Sequence, residues 1–276
     1  MKIKEINVKS IITKTNLPAG DYVINPYVGC LHGCKYCYAR FMKRFTGHSE
    51  PWGEFIDVKL NAPDLIPTDV KKYKGKYITI GSVTDPYQEI ERKYELTRKI
   101  LNKLIPLQPK IDIITKSDLV LRDIDLLKQF DDAIVLISLS MLNEQLRKQL
   151  EPNAPSIERR INALKELHKA GIKTSLFISP IFPEITDWKK MINQTKGFVT
   201  EYWFENLNLY PSIQDNIYSF LRKNKPELVK KYEEIYSKDS KYWHKIEQEI
   251  INYCKKNKIK ANIAFHHGKT TKITET

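Results

Sequence analysis

The sequence predicts an α/β fold, a partial (β/α)6 TIM barrel followed by a mostly helical C-terminal extension. Three observations lead there. Short β-branched stretches alternate with segments of helical apolar spacing, which marks βα units. The alternation stops after Pro211. No repeat, low-complexity tract or Gly/Ser linker divides the 276 residues, so one core is expected.

The predicted strands are 22–28, 77–82, 111–115, 134–138, 173–179 and 202–207, and they would run parallel. Helical spacing fills 91–104, 119–130 and 156–170. The last has Ser156 as N-cap, apolar Ile157, Ile161, Leu164 and Leu167 on one face, and Gly171 as terminator. Residues 214–258 read as helix with interleaved Tyr, Trp and Lys, and 259–265 as a final extended piece. Residues 1–212 are thus expected to form the core with its N-terminal segment. Residues 213–276 would be a basic extension packed on it, over one mouth of the barrel, within a single structural domain.

Composition bounds the function. No apolar run approaches the roughly 20 residues of a membrane span, and the start MKIKEINVKS lacks an apolar signal region. A cytoplasmic protein with no membrane partner is expected. The net charge is +13, and about half of it falls in 222–276, where 14 basic residues meet 7 acidic ones. That charge suits a polyanion such as nucleic acid. Only 9 of the 46 basic residues are Arg, which speaks against base-specific readout by guanidinium forks.

Three of the four cysteines fall within eight residues, in NPYVGCLHGCKYCYAR. Cysteines that close serve a metal better than they staple a fold, so a reducing compartment is implied. Cys30, Cys34 and Cys37, spaced C-x3-C-x2-C, follow the first predicted strand, at the end of the barrel where active sites gather. Three thiolates can hold three irons of a 4Fe–4S cube and leave the fourth open. Gly29 and Gly33 would let the backbone approach it closely. A Cys3His zinc site completed by His32 or His48 is the competing reading.

The pattern C-x3-C-x-Φ-C with Tyr36 resembles the signature of the radical S-adenosylmethionine (SAM) superfamily. The string NPYVGC…CKYCYAR resembles its spore photoproduct lyase-like, or DNA repair photolyase-like, branch. The strings GSVTDPYQEIERKYELTRKIL, ITKSDLVLRDIDLL and EPNAPSIERRINALKELHKAGIKTSLFISPIFPEITD extend the resemblance. FMKRFTGHSEPWG with the later WFENLNL is similar to the proteins called radical SAM mobile pair protein B.

The resemblance implies a 4Fe–4S cluster and SAM as cofactors and an electron donor such as flavodoxin or ferredoxin. The reduced cluster would cleave SAM to methionine and a 5′-deoxyadenosyl radical. Gly81, Ser82, Thr84 and Asp85 match the segment facing the SAM amino group, with Thr84 and Asp85 as the contacts. Lys116 matches the lysine facing the methionyl carboxylate. Ser138, with Ser140 behind it, and Arg160 match groups near ribose or carboxylate, and the backbone of Tyr36 and of 175–187 would border adenine. Tyr36 and Tyr38 match the tyrosine pair tied to radical return in the lyases.

Ser82, however, stands where those lyases keep a hydrogen-donor cysteine, and a serine O–H is too strong to relay a hydrogen atom. Thymine-lesion repair is therefore not expected. Cys254 could replace the thiol only if the extension folds over the barrel. One cysteine outside the motif leaves no second set for an auxiliary cluster, and no D-x-H-x-x-G cobalamin motif is present.

The leading expectation is hydrogen abstraction from a substrate on nucleic acid. The same chemistry on a protein, peptide or small molecule is the alternative, and a non-catalytic metal-binding module is the third. Glu205, Asn206, Asn208, His266 and His267 are candidate substrate contacts.

Overall fold

The computed structural model describes residues 1–17, 20–265 and 271–274. The strands are β1 (Lys2–Ile6), β2 (Ile12–Lys14), β3 (Tyr22–Ile24), β4 (Tyr27–Val28), β5 (Phe55–Lys59), β6 (Tyr77–Ile80), β7 (Lys110–Thr115), β8 (Ala133–Ser138), β9 (Lys173–Ile181), β10 (Glu201–Asn206), β11 (Ala261–Ile263) and β12 (Thr271–Ile273). Nine of them form one sheet in the order β12-β11-β10-β9-β8-β7-β6-β3-β2. From β3 to β11 every neighbour is parallel, while β2 and β12 pair antiparallel at the two edges. The edges do not meet, so the barrel is open. Gly81 after β6 and Glu205 on β10 nevertheless line one cavity, which shows how far the sheet curls.

Helix α1 (Val70–Tyr73) precedes β6, and α2 (Glu91–Tyr94) with α3 (Leu96–Leu104) leads from β6 to β7. Helix α4 (Ile124–Leu127) leads to β8, α5 (Glu144–Leu150) and α6 (Ile157–Lys169) to β9, and α7 (Trp188–Thr195) to β10. Helices α8 (Pro211–Asn224), α9 (Val229–Ile235) and α10 (Tyr242–Lys256) return the chain to β11. The fold class is the expected one. The final extended piece does more than expected, because β11 joins the main sheet as a seventh parallel strand.

Ile78, Ile80, Ile111, Ile113, Val135, Ile137, Leu176 and Ile178 share one connected core with Leu101, Leu104, Leu164 and Leu167 of the covering helices. Each such side chain contributes roughly 1.5–3 kcal/mol on burial. Ser156 caps α6 as expected, its side chain accepting from Arg159 N at 3.3 Å. Gly171 follows at φ 81°.

Two predicted elements break, each around a polar side chain that takes backbone partners. The expected strand 22–28 divides at Asn25-Pro26. Pro26 has no N–H for a ladder, and the Asn25 side chain turns to Val83 N at 3.0 Å and Ser82 Oγ at 3.0 Å. β4 then leaves the main sheet for a small one, β1-β5-β4, whose strands β1 and β5 the sequence reading did not pick out.

The expected helix 91–104 breaks at Glu95, φ 52°. There the chain wraps the buried Glu91 carboxylate, which accepts from Thr97 N at 3.0 Å, Arg122 Nη2 at 2.8 Å and the Tyr27 hydroxyl. The expected helix 119–130 is a 3-10 helix, Asp118–Asp123, running into α4. Among the described residues no helix is long and apolar enough to cross a membrane.

Side chains on β7 alternate, and Asp112 shares the concave face with Ile114, which lines the cavity. Burial first, then the like charges of Glu201 and Asp132, push the Asp112 carboxyl up to about 7. Between that value and the ordinary one near 4 the folded chain holds a proton that the unfolded chain has lost, so stability falls as pH rises through this window. Urea titrations should find Asp112→Asn more stable than the parent at pH 8, with the gain vanishing below about pH 4.

Candidate functional site

A cavity open at its mouth lies at the carboxyl ends of β6 to β10. The cysteine loop forms one wall. Cys30 and Cys34 are buried, Cys37 is partly so, and all three are free. Gly29 carries the chain into the loop at φ 93°, where a Cβ would lie 2.7 Å from the Phe55 carbonyl oxygen. Only glycine tolerates that passage.

The loop is held from three sides. Thr84 Oγ1 donates to Gly29 O at 2.5 Å and accepts from Gln88 Nε2 at 2.9 Å, while Gln88 Oε1 accepts from Leu31 N at 2.7 Å. Asn153 Nδ2 donates to Leu31 O at 2.9 Å, and Lys35 N donates to Leu150 O at 2.8 Å. The Tyr38 hydroxyl donates to Ser82 O.

Asp85 is the hub beneath. Its Oδ1 accepts from Thr115 Oγ1 at 2.6 Å and Tyr87 N at 2.9 Å, and its Oδ2 from Lys116 N at 2.7 Å and His32 Nε2 at 2.9 Å. Burial alone would raise this carboxyl, but His32, the Lys116 amide and Thr115 hold it down at about 2. Four donors fill the roughly four acceptor positions of a carboxylate. Asp85 therefore lines the cavity as a brace with no acceptor position to spare, and Thr84 is likewise engaged. His32 thus ties the cysteine loop to Asp85. Its one signal was its place between two of the cysteines.

Across the cavity, Lys116 Nζ lies 5.7 Å from the centre of the Tyr36 ring. Burial opposes its charge, but Cys34 and Glu151 outweigh burial and raise its pKa. The Tyr36 ring packs edge-on against Phe182, and its hydroxyl donates to Glu151. Glu151, in the string EPNAP, passed unnoticed in the sequence, yet its carboxylate joins Tyr36 to Arg160.

Some expected contacts lie elsewhere. Arg160 is fully buried outside the cavity lining, donating to Glu151, to Ser138 O at 3.1 Å and to Pro155 O at 3.0 Å. Its guanidinium is spent on protein acceptors. Ser140 is also spent inside, donating to Ser179 O at 2.7 Å. Ser138 does line the cavity.

Cys254, on α10, is fully buried in the apolar core away from the cavity, and burial pushes its thiol up to about 11. The extension does not carry it over the mouth, because α10 packs on the outer side of the sheet near Tyr253–Trp188 contacts. Among the described residues no thiol outside the motif lines the cavity. Gly81, Ser82, Tyr38, Glu205, Asn206 and Asn208 do. His266 and His267 lie outside the described residues.

The donor set fits an iron–sulfur cluster. Burial, followed by Asp85 and the other cysteines, pushes the Cys30 thiol well up, and burial pushes Cys34 up to about 12. Such groups become thiolates only against strong positive charge, as metal ligation supplies. A single zinc does not fit. His48 uses both ring nitrogens, toward Asp57 at 2.7 Å and Glu50 at 3.2 Å, and His32 is held by Asp85.

Residues 24–194 match the model of the Radical SAM superfamily. An uncharacterized protein of Methanocaldococcus jannaschii is 44% identical over 259 residues, 94% of this chain and 95% of that one. The Radical SAM Nalpha-GlyT isomerase of Pseudomonas phage M6 is 28% identical over 162 residues, 58% of this chain but 33% of that protein. Spore photoproduct lyase complexed with dinucleoside spore photoproduct has a similar fold, with a TM-score of 0.63 at 17% identity over 81% of this chain and 67% of that one. Streptococcus suis SuiB bound to S-adenosylmethionine gives 0.56 at 13% identity over 88% and 49%.

Removing one member of a buried ion pair strands the other. Arg160→Ala should therefore lower unfolding free energy by about 3–5 kcal/mol in denaturant titrations. A loss under about 1 kcal/mol, the worth of a surface pair, would contradict this assignment.

Proposed function

Because this chain belongs to the radical SAM superfamily, whose cofactors are a 4Fe–4S cluster and SAM, we propose that it is an enzyme binding the cluster through Cys30, Cys34 and Cys37 and acting on nucleic acid. The observation that carries the cofactor reading is the cysteine loop itself: three free thiols on a wall braced from β6, facing Lys116 across a cavity at the strand ends. When bound, the cofactors supply a 5′-deoxyadenosyl radical able to take a hydrogen atom from substrate.

Lys116 meets the methionyl carboxylate, a charge-assisted contact of about 1.5–3 kcal/mol. Ser138 offers its hydroxyl beside it. Thr84 and Asp85 act on the amino-group end by fixing the backbone of 81–85 and the start of 116, their own acceptors being filled from within. Gly81 accommodates that backbone at φ 96°, where a Cβ would lie 2.5 Å from Pro86 Cδ. Glu151 and Arg160 hold Tyr36 in place, which leaves the Tyr36 backbone to border adenine. A low-potential donor such as flavodoxin or ferredoxin supplies the electron.

The mouth supports the substrate reading. The 3-10 helix Tyr38–Phe45 exposes Tyr38, Phe41 and Phe45, the last at 66%. Arg44 lies over the Phe41 and Phe45 rings at 5.4 and 4.7 Å. Exposed aromatic rings interleaved with cations beside a cavity suit unpaired bases, which every aromatic face can stack. A base flipped from its strand would enter the same opening. Tyr38, on the rim, is better placed than the buried Tyr36 hydroxyl to exchange a hydrogen atom with substrate.

Anaerobic reconstitution should give about four irons per chain, and dithionite with SAM should then release 5′-deoxyadenosine. Replacing Cys34 by Ala should abolish it, and a cluster-replete sample that makes none would refute the cofactor reading.

Single-stranded DNA or RNA should bind with affinity falling steeply as salt rises. Phe45→Ala should weaken binding about tenfold, within the 1–3 kcal/mol of one stacked base. A flat salt slope would move the target to a peptide or small molecule.

A further inference from the structure

The cysteine loop packs against the turn 51–54 that leads into β5. Gly53 comes so near Gly33 that a Cβ on it would lie 2.7 Å from the Gly33 Cα. That approach seats Trp52, 8% exposed, in one cluster with Cys30, Phe55 and the partly buried Cys37. The ring packs edge-on against Phe55 at 5.9 Å.

Trp52 Nε1 is buried and meets no acceptor among the described residues, and the same is true of Arg40 Nε. Arg40 nevertheless approaches the loop, since its Nη2 donates to Cys34 O at 3.3 Å. A buried N–H left unsatisfied costs about 1–3 kcal/mol. Two such donors beside one set of thiols need a common explanation, and sulfur is the acceptor at hand. Cys37 packs against the cluster that holds Trp52 and stands three residues before Arg40.

We infer that Trp52, through its indole N–H, and Arg40, through Nε–H, donate hydrogen bonds to the sulfur of Cys37 and so raise the reduction potential of the cluster bound there. The inference rests on the cluster reading above. The reason for the direction is electrostatic. A donor or a cation beside a ligating sulfur stabilises the more negative, reduced state, and hydrogen bonds to sulfur are among the protein's levers on cluster potential. Both residues are positioning groups that touch the ligand sulfur and not the substrate.

The test is an EPR-monitored redox titration of the reconstituted protein beside Trp52→Phe and Arg40→Met. Trp52→Phe keeps the ring and removes only the donor. Both variants should take up the parental iron content and titrate at a more negative potential, whereas a role in packing alone would leave the potential of Trp52→Phe where it was. Should either variant fail to load, the parental protein answers directly. With 15N-labelled tryptophan, electron–nuclear double resonance of its reduced cluster should show an exchangeable indole proton coupled to the spin. An unchanged potential in Trp52→Phe at full iron content, or no indole coupling in the parent, overturns the inference. Failure of the parental protein to hold iron would instead count against the cluster reading.

Discussion

The bond from the Thr84 hydroxyl to the Gly29 carbonyl fixes two parts of the chain to one another. One is the cysteine loop, suspended from the small sheet. The other is the turn after β6, which belongs to the main sheet. Gln88 doubles the link by holding both Thr84 and Leu31 N. With the His32–Asp85 bond, these contacts set the three thiols in place relative to Lys116 and Ser138.

The same turn carries Asp85, so one segment sets both the loop and the opposite wall. Asp85 binds His32 from the loop and Thr115 and Lys116 from β7, which makes the carboxylate the meeting point of three elements. A buried carboxylate is tolerable there because donors fill its acceptor sites. A second buried carboxylate, Glu151, does the equivalent on the far side for Tyr36 and Arg160. Lys116 lies between the two networks and owes its charge to Cys34 and Glu151 more than to solvent.

The N-terminal support is built alike. Glu91 takes the Tyr27 hydroxyl just before the loop and Arg122 beside Asp123, and Tyr87 reaches Asp123 at 3.1 Å. Buried ion pairs add little net stability against apolar replacements, but they fix geometry, since a charge left unpaired is costly. In this chain the Glu91–Arg122 and Glu151–Arg160 pairs stay out of the cavity lining, while Asp85 and His32 are part of it.

Much of this was legible from residue spacing. Short β-branched and apolar stretches located the six expected strands, because a strand buried on both faces must be apolar through its short length. The cysteine spacing located the cofactor loop, because ligands from one short segment need no tertiary information to be near one another. The roles of Arg160 and Cys254 were not legible. A helical Arg and a lone Cys read the same whether they face a cavity or a core, and only packing places the first on Glu151 and the second in the apolar core. The Asn25-Pro26 break, the wrap around Glu91, the seventh strand and the Trp52 contact with the cysteine loop share that cause. Each depends on residues tens of positions apart, and local pattern carries no record of which distant group a buried polar atom will find.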